Sequence, residues 1–395
     1  MIKKLKHQLK YRNMENEAWR SLITWTDFIL FFFFMCSVGY LFIFAVFSLK
    51  KQRNLYSKTK KQYRYLIVFT SNQIDESITK SIDSFLEQTI PISNYDIAVI
   101  SRNVSKSIEL VLKELPVTLV KCPTEEQFRG QMLEFVLKEM DSSYDVIVIM
   151  KSRNTVDPNF LEEINKAYHS GGMAIQTHRV LKNPKTHTAV LNAISEEINN
   201  SIFRRGHVRL GFSAGLIGSG MAFNYNWFKQ NITKVKQTGL TKQLEIILLK
   251  QGVFIEYLEN VYTYDEKNSN VSEFNDQRQN WYTAKRYSLR NALKDFPKAF
   301  FAGNFDFCDK IIQWILPSRF FLLSTICLIT IALLFVDWTL SLKWGGLLLV
   351  LLLVFDLSIP SKFRNSRTIV ALSAFPLLFL STLMNLFGLR RNKSY

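Results

Sequence analysis

The sequence predicts an α/β protein, a Rossmann-like open sheet held between transmembrane α-helices, and three observations make the case. Between Arg64 and about Asn291, short β-branched runs alternate with amphipathic stretches, the pattern of strands joined by crossover helices. Apolar runs long enough for a bilayer lie on both sides of that region. With 395 residues, 48% of them hydrophobic and 14% aromatic, the chain can bury one large domain and still supply those runs.

The elements follow in order. Residues 1–27 form a basic N-terminal tail carrying Lys3, Lys4, Lys6, Lys10, Arg12 and Arg20. Phe28 to Leu49 (residues 28–49) is apolar over about the 20 residues that a spanning helix needs, and it reads as a transmembrane helix. It is too long for a signal-peptide core, and no small-residue cleavage site precedes Lys50-Lys51-Gln52-Arg53, so the segment reads as retained. In the domain at residues 64–291, strands are expected at Tyr65–Phe69, Ile97–Ile100, Val117–Val120, Val146–Met150 and Met173–Gln176, in a parallel sheet. Helices fall between them, as at Asp75–Gln88 and Glu125–Met140. Thr124 and Gln127 make a capping box for the second, and Pro158 marks the start of another.

Beyond that domain, residues 296–316 set Phe300, Phe301, Phe305, Ile311, Ile312 and Trp314 among Lys298, Lys310 and acids, as an interfacial helix would; a core helix is the plain alternative. Three apolar runs close the chain within residues 320–387: Phe320–Val336, Trp344–Leu357, short enough to be re-entrant, and Ile369–Phe387.

The formal charge of +17 sits largely beside these apolar segments, and no RNP or zinc-finger pattern accompanies it. Membrane lipid, not nucleic acid, is the expected partner. Cys36, Cys122, Cys308 and Cys327 lack CxxC or CxxH spacing, and His169, His178, His187 and His207 lack ligand spacing, so neither a disulfide framework nor a zinc site is indicated. Lys362, Arg364 and Arg367 vote for a multi-pass protein of the cell membrane with a cytoplasmic soluble domain. Arg390, Arg391 and Lys393 then fall outside, against that vote.

In open α/β sheets, ligands bind beyond the carboxyl ends of the strands. Here those positions are unusual: Ser101-Arg102-Asn103 follows the second strand and Lys151-Ser152-Arg153-Asn154 the fourth, while Thr241-Lys242-Gln243-Leu244-Glu245 opens a later helix. A nucleotide-sugar site would place carboxylates at such points, to hold a divalent cation against a diphosphate and to deprotonate an acceptor hydroxyl.

From Tyr65 to Trp281 and on into the C-terminal helices, the chain resembles the membrane-bound family 2 glycosyltransferases, the group of cellulose, hyaluronan and poly-N-acetylglucosamine synthases. The similar blocks keep the family's order: Ser71-Asn72-Gln73; Tyr144 to Asn154 with Val156-Asp157-Pro158-Asn159-Phe160-Leu161; Ser213 to Phe223; Thr241 to Glu245; Tyr264-Asp265-Glu266; and Gln277-Arg278-Gln279-Asn280-Trp281. The resemblance implies a GT-A fold and polysaccharide biosynthesis. It places Ser71, Asn72, Arg102, Lys151 and Arg153 in the nucleotide-sugar pocket, and Gly218, Ser219, Gly220, Gln277 and Trp281 on the acceptor side.

The same resemblance exposes the departures. A base- or ribose-binding Asp of the family falls on Arg102, the two acids of its metal-binding DxD on Lys151 and Arg153, its Glu-Asp pair on Lys242 and Gln243, and the Arg of its QxxRW motif on Asn280, beside Arg278. Cationic side chains are not ligands for a hard cation, so no divalent metal is expected. An amide at Gln243 cannot take a proton, and loss of a positioned base typically forfeits about 10²- to 10⁴-fold in rate.

The expected function is therefore a pseudo-glycosyltransferase that assists an active transferase or polysaccharide-export partner. One alternative is an active, metal-independent inverting transferase in which Arg102, Lys151 and Arg153 clamp the diphosphate of a nucleotide sugar. Another is a binding module for anionic lipid or glycan. Two plain readings stand beside these: the basic side chains are merely solvated or salt-bridged, or a shifted register leaves Asp145, Asp157, Glu245, Asp265 or Glu266 as a working acid.

Overall fold

The computed structural model describes residues 2–50, 56–122, 128–140, 143–182, 184, 186–235, 239–266 and 283–363. The chain divides into two compact units, residues 1–43 with 316–356 and residues 44–315 with 357–395.

The first unit is helical. Helix α1 (Ile2–Ser48) is continuous, so the basic residues expected as a tail share a helix with the apolar run. Its Thr24–Ser48 segment, and later α14 (Trp338–Ser358), are each long and apolar enough to cross a membrane. Asp27 of α1 pairs with Lys343 of α14 and accepts a 2.8 Å hydrogen bond from Trp344 Nε1, while Phe31 packs edge-on against Trp344. Ser341 Oγ donates to the Thr330 carbonyl of α13 (Arg319–Leu334) at 2.9 Å. These bonds explain a difference from expectation. The second C-terminal run looked short because Thr339, Ser341 and Lys343 interrupt its apolarity, yet the helix continues through them to 21 residues, with Ser341 and Lys343 satisfied by neighbouring helices and Thr339 by Asp337 at the helix start. The expected Ile369–Phe387 helix lies outside the described residues.

The second unit is built on an eight-stranded sheet of order β3-β2-β1-β4-β7-β6-β8-β5. Its strands are β1 (Tyr65–Gln73), β2 (Tyr95–Asn103), β3 (Thr118–Lys121), β4 (Val146–Lys151), β5 (Asn154–Val156), β6 (Ala174–Leu181), β7 (Met221–Asn224) and β8 (Ile255–Asp265). β1 pairs in parallel with β2 and β4, and β2 with β3, as the alternating pattern requires. A wholly parallel sheet was expected. It is mixed instead, because β7 inserts antiparallel between β4 and β6, and β5 lies antiparallel on β8.

Both faces of the sheet are covered, which is why its strands read as near-continuous apolar runs. Tyr65, Ile67 and Phe69 of β1 face Ile78, Ile82 and Phe85 of α2 (Ser77–Leu86) and Phe160, Leu161 and Ile164 of α5 (Phe160–His169). The intervening Leu66 and Val68 join Met132, Leu133 and Val136 of α4 (Arg129–Glu139) and Leu244 and Leu248 of α9 (Leu240–Lys250). α4 begins at Arg129, later than expected. Its entry is fixed by the Phe128 N–H donating to Gln131 Oε1 at 2.9 Å, while Thr124 and Gln127 lie outside the described residues. The expected single helix at residues 296–316 is two, α11 (Phe296–Phe301) and α12 (Phe305–Ile315), broken where Gly303 adopts φ +73°. Ahead of them, residues 283–293 form α10.

Candidate functional site

Three parallel strands end side by side, and their register sets the site. Thr70 of β1 stands opposite Lys151 of β4, and Ser71 opposite Ser101 of β2, so Ser71, Arg102 and Lys151 share the carboxyl edge of the sheet. All three are half-buried. The turn that leaves β4 is closed by Asn154, whose Oδ1 accepts from the Lys151 N–H at 3.1 Å. Asn72 lies on β1.

Arg153, on that turn, is committed to a partner. Its Nε and Nη2 converge on Asp75 Oδ2 at 2.8 and 2.5 Å. Ser77 also donates to Asp75 from its N–H and hydroxyl. Burial pushes the Asp75 carboxyl up, but the bonds from Ser77 and Arg153 outweigh it and hold the group below its ordinary value. The pair is about two-fifths exposed on each side, so it contributes little stability; what matters is the charge it places at the end of β4.

The structure adds a cation that reading the strand ends did not find. Arg129, first residue of α4, reaches the same edge: Nε donates to Thr70 Oγ1 at 2.7 Å, and Nη2 lies 3.5 Å from the Met150 carbonyl. Burial lowers its pKa to about 10. Arg129 Nη1 would lie 3.1 Å from a Cβ built on Gly218, where φ is +92°. An enclosed guanidinium among neutral oxygens, beside a glycine that leaves it room, is arranged to meet an anion.

The segment 213–220 forms the wall of this edge, and almost every residue is pinned. Ser213 N and Oγ donate to Asp306 at 2.8 and 2.5 Å; Gly215 O accepts from Arg204 Nε at 3.0 Å; Leu216 N donates to Glu245 Oε1 at 2.7 Å; Ile217 N donates to Gln176 Oε1 at 2.8 Å. Gln176 Nε2 in turn donates to the Ser219 and Gly220 carbonyls at 3.0 and 3.2 Å. Gly220 has φ +62°, and a Cβ there would meet Thr177 Oγ1 and Thr263 Oγ1 at 2.2 and 2.3 Å. Its lack of a side chain thus answers to packing against β6 and β8.

On α9, Gln243 is half-buried, whereas Lys242 turns inward with Nζ 2.7 Å from Glu245 Oε2, and Glu245 is wholly buried. Burial lowers the Lys242 pKa against the opposing pull of Glu245. Gln277 and Trp281 lie outside the described residues, as do Arg278 and Asn280.

The remaining acids are occupied. Asp145 accepts from the Arg64 N–H at 2.9 Å, at the opposite end of β4; Asp157 accepts from the Tyr264 hydroxyl at 3.1 Å; buried Asp265 lies 4.0 Å from Arg179, and Glu266 lies 3.5 Å from Lys182. Among the described residues, no group of three or more His, Cys, Asp or Glu is placed to hold a metal ion.

Sequence comparison decides the lineage: the profile described as glycosyl transferase family group 2 matches residues 146–389, more than half of the chain. The chain belongs to the family 2 glycosyltransferases. Its fold is that of the GT-A members. A mannosyltransferase of Pyrobaculum calidifontis, solved with GDP-Man and Mn2+, superposes with a TM-score of 0.56 at 12% identity, over 90% of this chain and 96% of that one. TarS of S. aureus, solved alone and with UDP-GlcNAc, gives 0.44 at 11% and 12% identity, over 82% of this chain and 92% of that one. No curated protein matches the chain by sequence.

Many GT-A sites hold a divalent cation between a nucleotide diphosphate and acids after the fourth strand, but the donor set here does not fit one. Lys151 and Arg153 occupy the expected ligand positions, and the acid beside them, Asp75, is taken by Arg153 and Ser77. Hard cations need several oxygen ligands, and this edge offers mostly ammonium and guanidinium groups. The excess charge suits an anion.

Proposed function

We propose that this family 2 member binds a nucleotide sugar or nucleoside diphosphate through basic side chains in place of a metal, and that it is a pseudoenzyme assisting an active transferase or export partner in polysaccharide biosynthesis at the membrane. The observation that carries the reading is the inverted charge at the end of β4, where Arg153 is bonded twice to Asp75 and Arg129 bonds the neutral oxygens of Thr70 and Met150. Gln243 supports it, because a neutral amide at the family's base position offers no proton acceptor, and the adjacent Lys242 ammonium is bonded to Glu245.

Within this reading the chain's own groups bind and orient. Arg129, with Lys151 and Arg102 along the same edge, faces the phosphates. Ser71 lies where the base and ribose would be expected. The pinned 213–220 segment holds the pocket's shape. The apolar helices tether the domain to the cell membrane, with the soluble unit in the cytoplasm, and the exposed Phe300, Phe301 and Phe305 of α11 and α12 rest against lipid.

The test uses the purified full chain with a panel of nucleotide sugars, with and without Mn²⁺. The expectation is nucleoside diphosphate binding that EDTA does not alter, no turnover, and binding weakened by about tenfold or more in Arg129→Met, the scale of one or two charge-assisted hydrogen bonds. Sugar transfer that disappears in Trp281→Ala would overturn the pseudoenzyme reading. Such transfer without metal would favour the second reading, an active metal-independent transferase, for which the cationic edge is also the motivating observation.

A further inference from the structure

The helix that follows β6 changes pitch part-way. α6 (His187–Asn200) gives way to a π-helical turn over Ser201–Gly206, and α7 (His207–Leu210) resumes the ordinary pitch. A π turn carries a residue more than the α-helix around it accommodates, and such turns are rare and found mostly at functional sites, so something must hold this one open. The last turn of α1 does so. Gly206 meets it backbone to backbone: a Cβ on Gly206 would stand 2.2 Å from the Phe44 carbonyl oxygen. Ser48 Oγ donates to the Ala45 carbonyl at 2.7 Å, which leaves it to accept from Ser201 Oγ at 2.8 Å. Phe44 stacks on His207 with ring centroids 3.7 Å apart, and meets Phe212 edge-on at 6.0 Å.

The same turn grips the 213–220 wall. Arg204 Nε donates to the Gly215 carbonyl at 3.0 Å, and the Gly215 N–H donates to the Phe203 carbonyl at 3.1 Å, so two consecutive residues of the π turn hold one residue of the wall from both of its polar groups. Arg204 Nη1 also donates to Asn200 Oδ1 of α6 at 2.7 Å. His207 Nδ1 lies 2.7 Å from the Ile202 carbonyl five residues back, spanning the wide turn, and Asp309 of α12 lies 3.3 Å from His207 Nε2. All of these residues belong to the second unit. A return to α pitch takes up the extra residue and rotates the chain beyond it by about 100°, the angle between successive α-helical residues. The π turn therefore cannot keep its partners on both sides in both forms.

We propose that the Ser201–Gly206 turn is a two-state coupling element between the end of α1 and the 213–220 wall. Seated against Phe44 and Ser48, it keeps its π form and clamps Gly215; when the end of α1 moves away, it relaxes toward α pitch and releases the wall. Interfaces packed this closely pass a shift of about 1–2 Å in one helix on to the next as a change between discrete arrangements. α1 is continuous and its Thr24–Ser48 segment is long and apolar enough to cross a membrane, so the signal delivered to the turn is the position of that helix. The device adds regulation to the proposed nucleotide-binding edge, and rests on that reading only for what the wall encloses.

The measurement is amide hydrogen exchange by mass spectrometry on the full chain in detergent, comparing the wild type with Gly206→Ala and Ser48→Ala. Gly206 has φ −60°, where alanine is unstrained and the better helix former, so an uncoupled turn would be unchanged or steadied by Gly206→Ala. Coupling predicts the opposite, because the new Cβ displaces the Phe44 backbone. The expected result in both variants is exchange over residues 213–217 about tenfold faster, the scale of one hydrogen bond, with Tyr65–Phe69 of β1 unchanged. Unchanged or slower exchange over 213–217 in either variant that folds would overturn the proposal. So would acceleration spread equally along the chain in Ser48→Ala, which loses a single hydroxyl and is expected to fold even if Gly206→Ala does not. Isothermal titration with uridine diphosphate keeps the two readings apart: weaker binding in the variants supports the link to the nucleotide edge, whereas a wild type that binds none while residues 213–217 respond overturns the nucleotide reading and leaves the coupling standing.

Discussion

At Arg153 and Lys151, two side chains decide what the sheet edge can bind, and both are the wrong sign for a cation. The reversal can be tested directly. Lys151→Asp with Arg153→Asp would set two carboxylates beside Asp75, freed from its guanidinium partner, and the variant is expected to bind Mn²⁺ with 1:1 stoichiometry while the wild type binds none, read by electron paramagnetic resonance of free Mn²⁺. Equal Mn²⁺ uptake by both would count against the charge argument. Gly220 offers a stability test. Gly220→Ala forces a Cβ into two threonine hydroxyls in a left-handed conformation, and a loss of about 2 to 4 kcal/mol is expected in denaturant unfolding. The inverted charges at 102, 151, 153 and 242 were all visible in the sequence, because each follows a readable strand or opens a readable helix. Arg129 was not, since it enters the edge from the first turn of a helix, and nothing in its local pattern says that its side chain reaches back to Thr70.

Among the elements, the five strands expected from β-branched runs are present, and their registers bring the strand ends together. β5 and β7 escaped notice because strands of three and four residues carry no periodicity of their own and exist through their partners. β8 was missed for a different reason. Its Ile255-Glu256-Tyr257-Leu258-Glu259-Asn260-Val261 interleaves charge and apolarity irregularly, and a bulge on β8, where Leu258 and Tyr262 pair with the adjacent Thr177 and His178 of β6, absorbs that irregularity in the pairing. For α14, polar residues masked the helix, and those same residues make its best-defined contacts. Removing the carboxylate in Asp27→Ala leaves Lys343 without its ion-pair partner and Trp344 Nε1 without its hydrogen bond, with an expected cost of about 3 to 5 kcal/mol. A double-mutant cycle with Lys343→Met in detergent should recover much of that loss, and purely additive effects would show the pair to be unimportant.

For the whole molecule, the Asp27 contacts also fix a direction. Asp27 stands near the start of the Thr24–Ser48 segment, and Lys343 and Trp344 stand near the start of α14, so two helices that both cross one bilayer through these segments run parallel. Ser21→Cys and Asp337→Cys, in a background lacking the native cysteines, are therefore expected to react with a membrane-impermeant maleimide from the same side; labelling from opposite sides would break the argument. The sequence supported membrane attachment through its apolar runs, but it left the relation of the first run to the later ones open, because that relation depends on long-range contacts of Asp27 and Phe31 with Lys343 and Trp344.

Gln176 tethers the 213–220 wall with a neutral amide: its oxygen receives one strand of the turn and its nitrogen the other. Dissolved electrolyte has no purchase on such a tether, whereas the exposed Arg153–Asp75 contact fades as counterions crowd it. Raising the ionic strength should therefore loosen the rim of the proposed nucleotide-binding edge while its back wall keeps its contour, a separation that would let affinity be tuned in solution without remoulding the cavity.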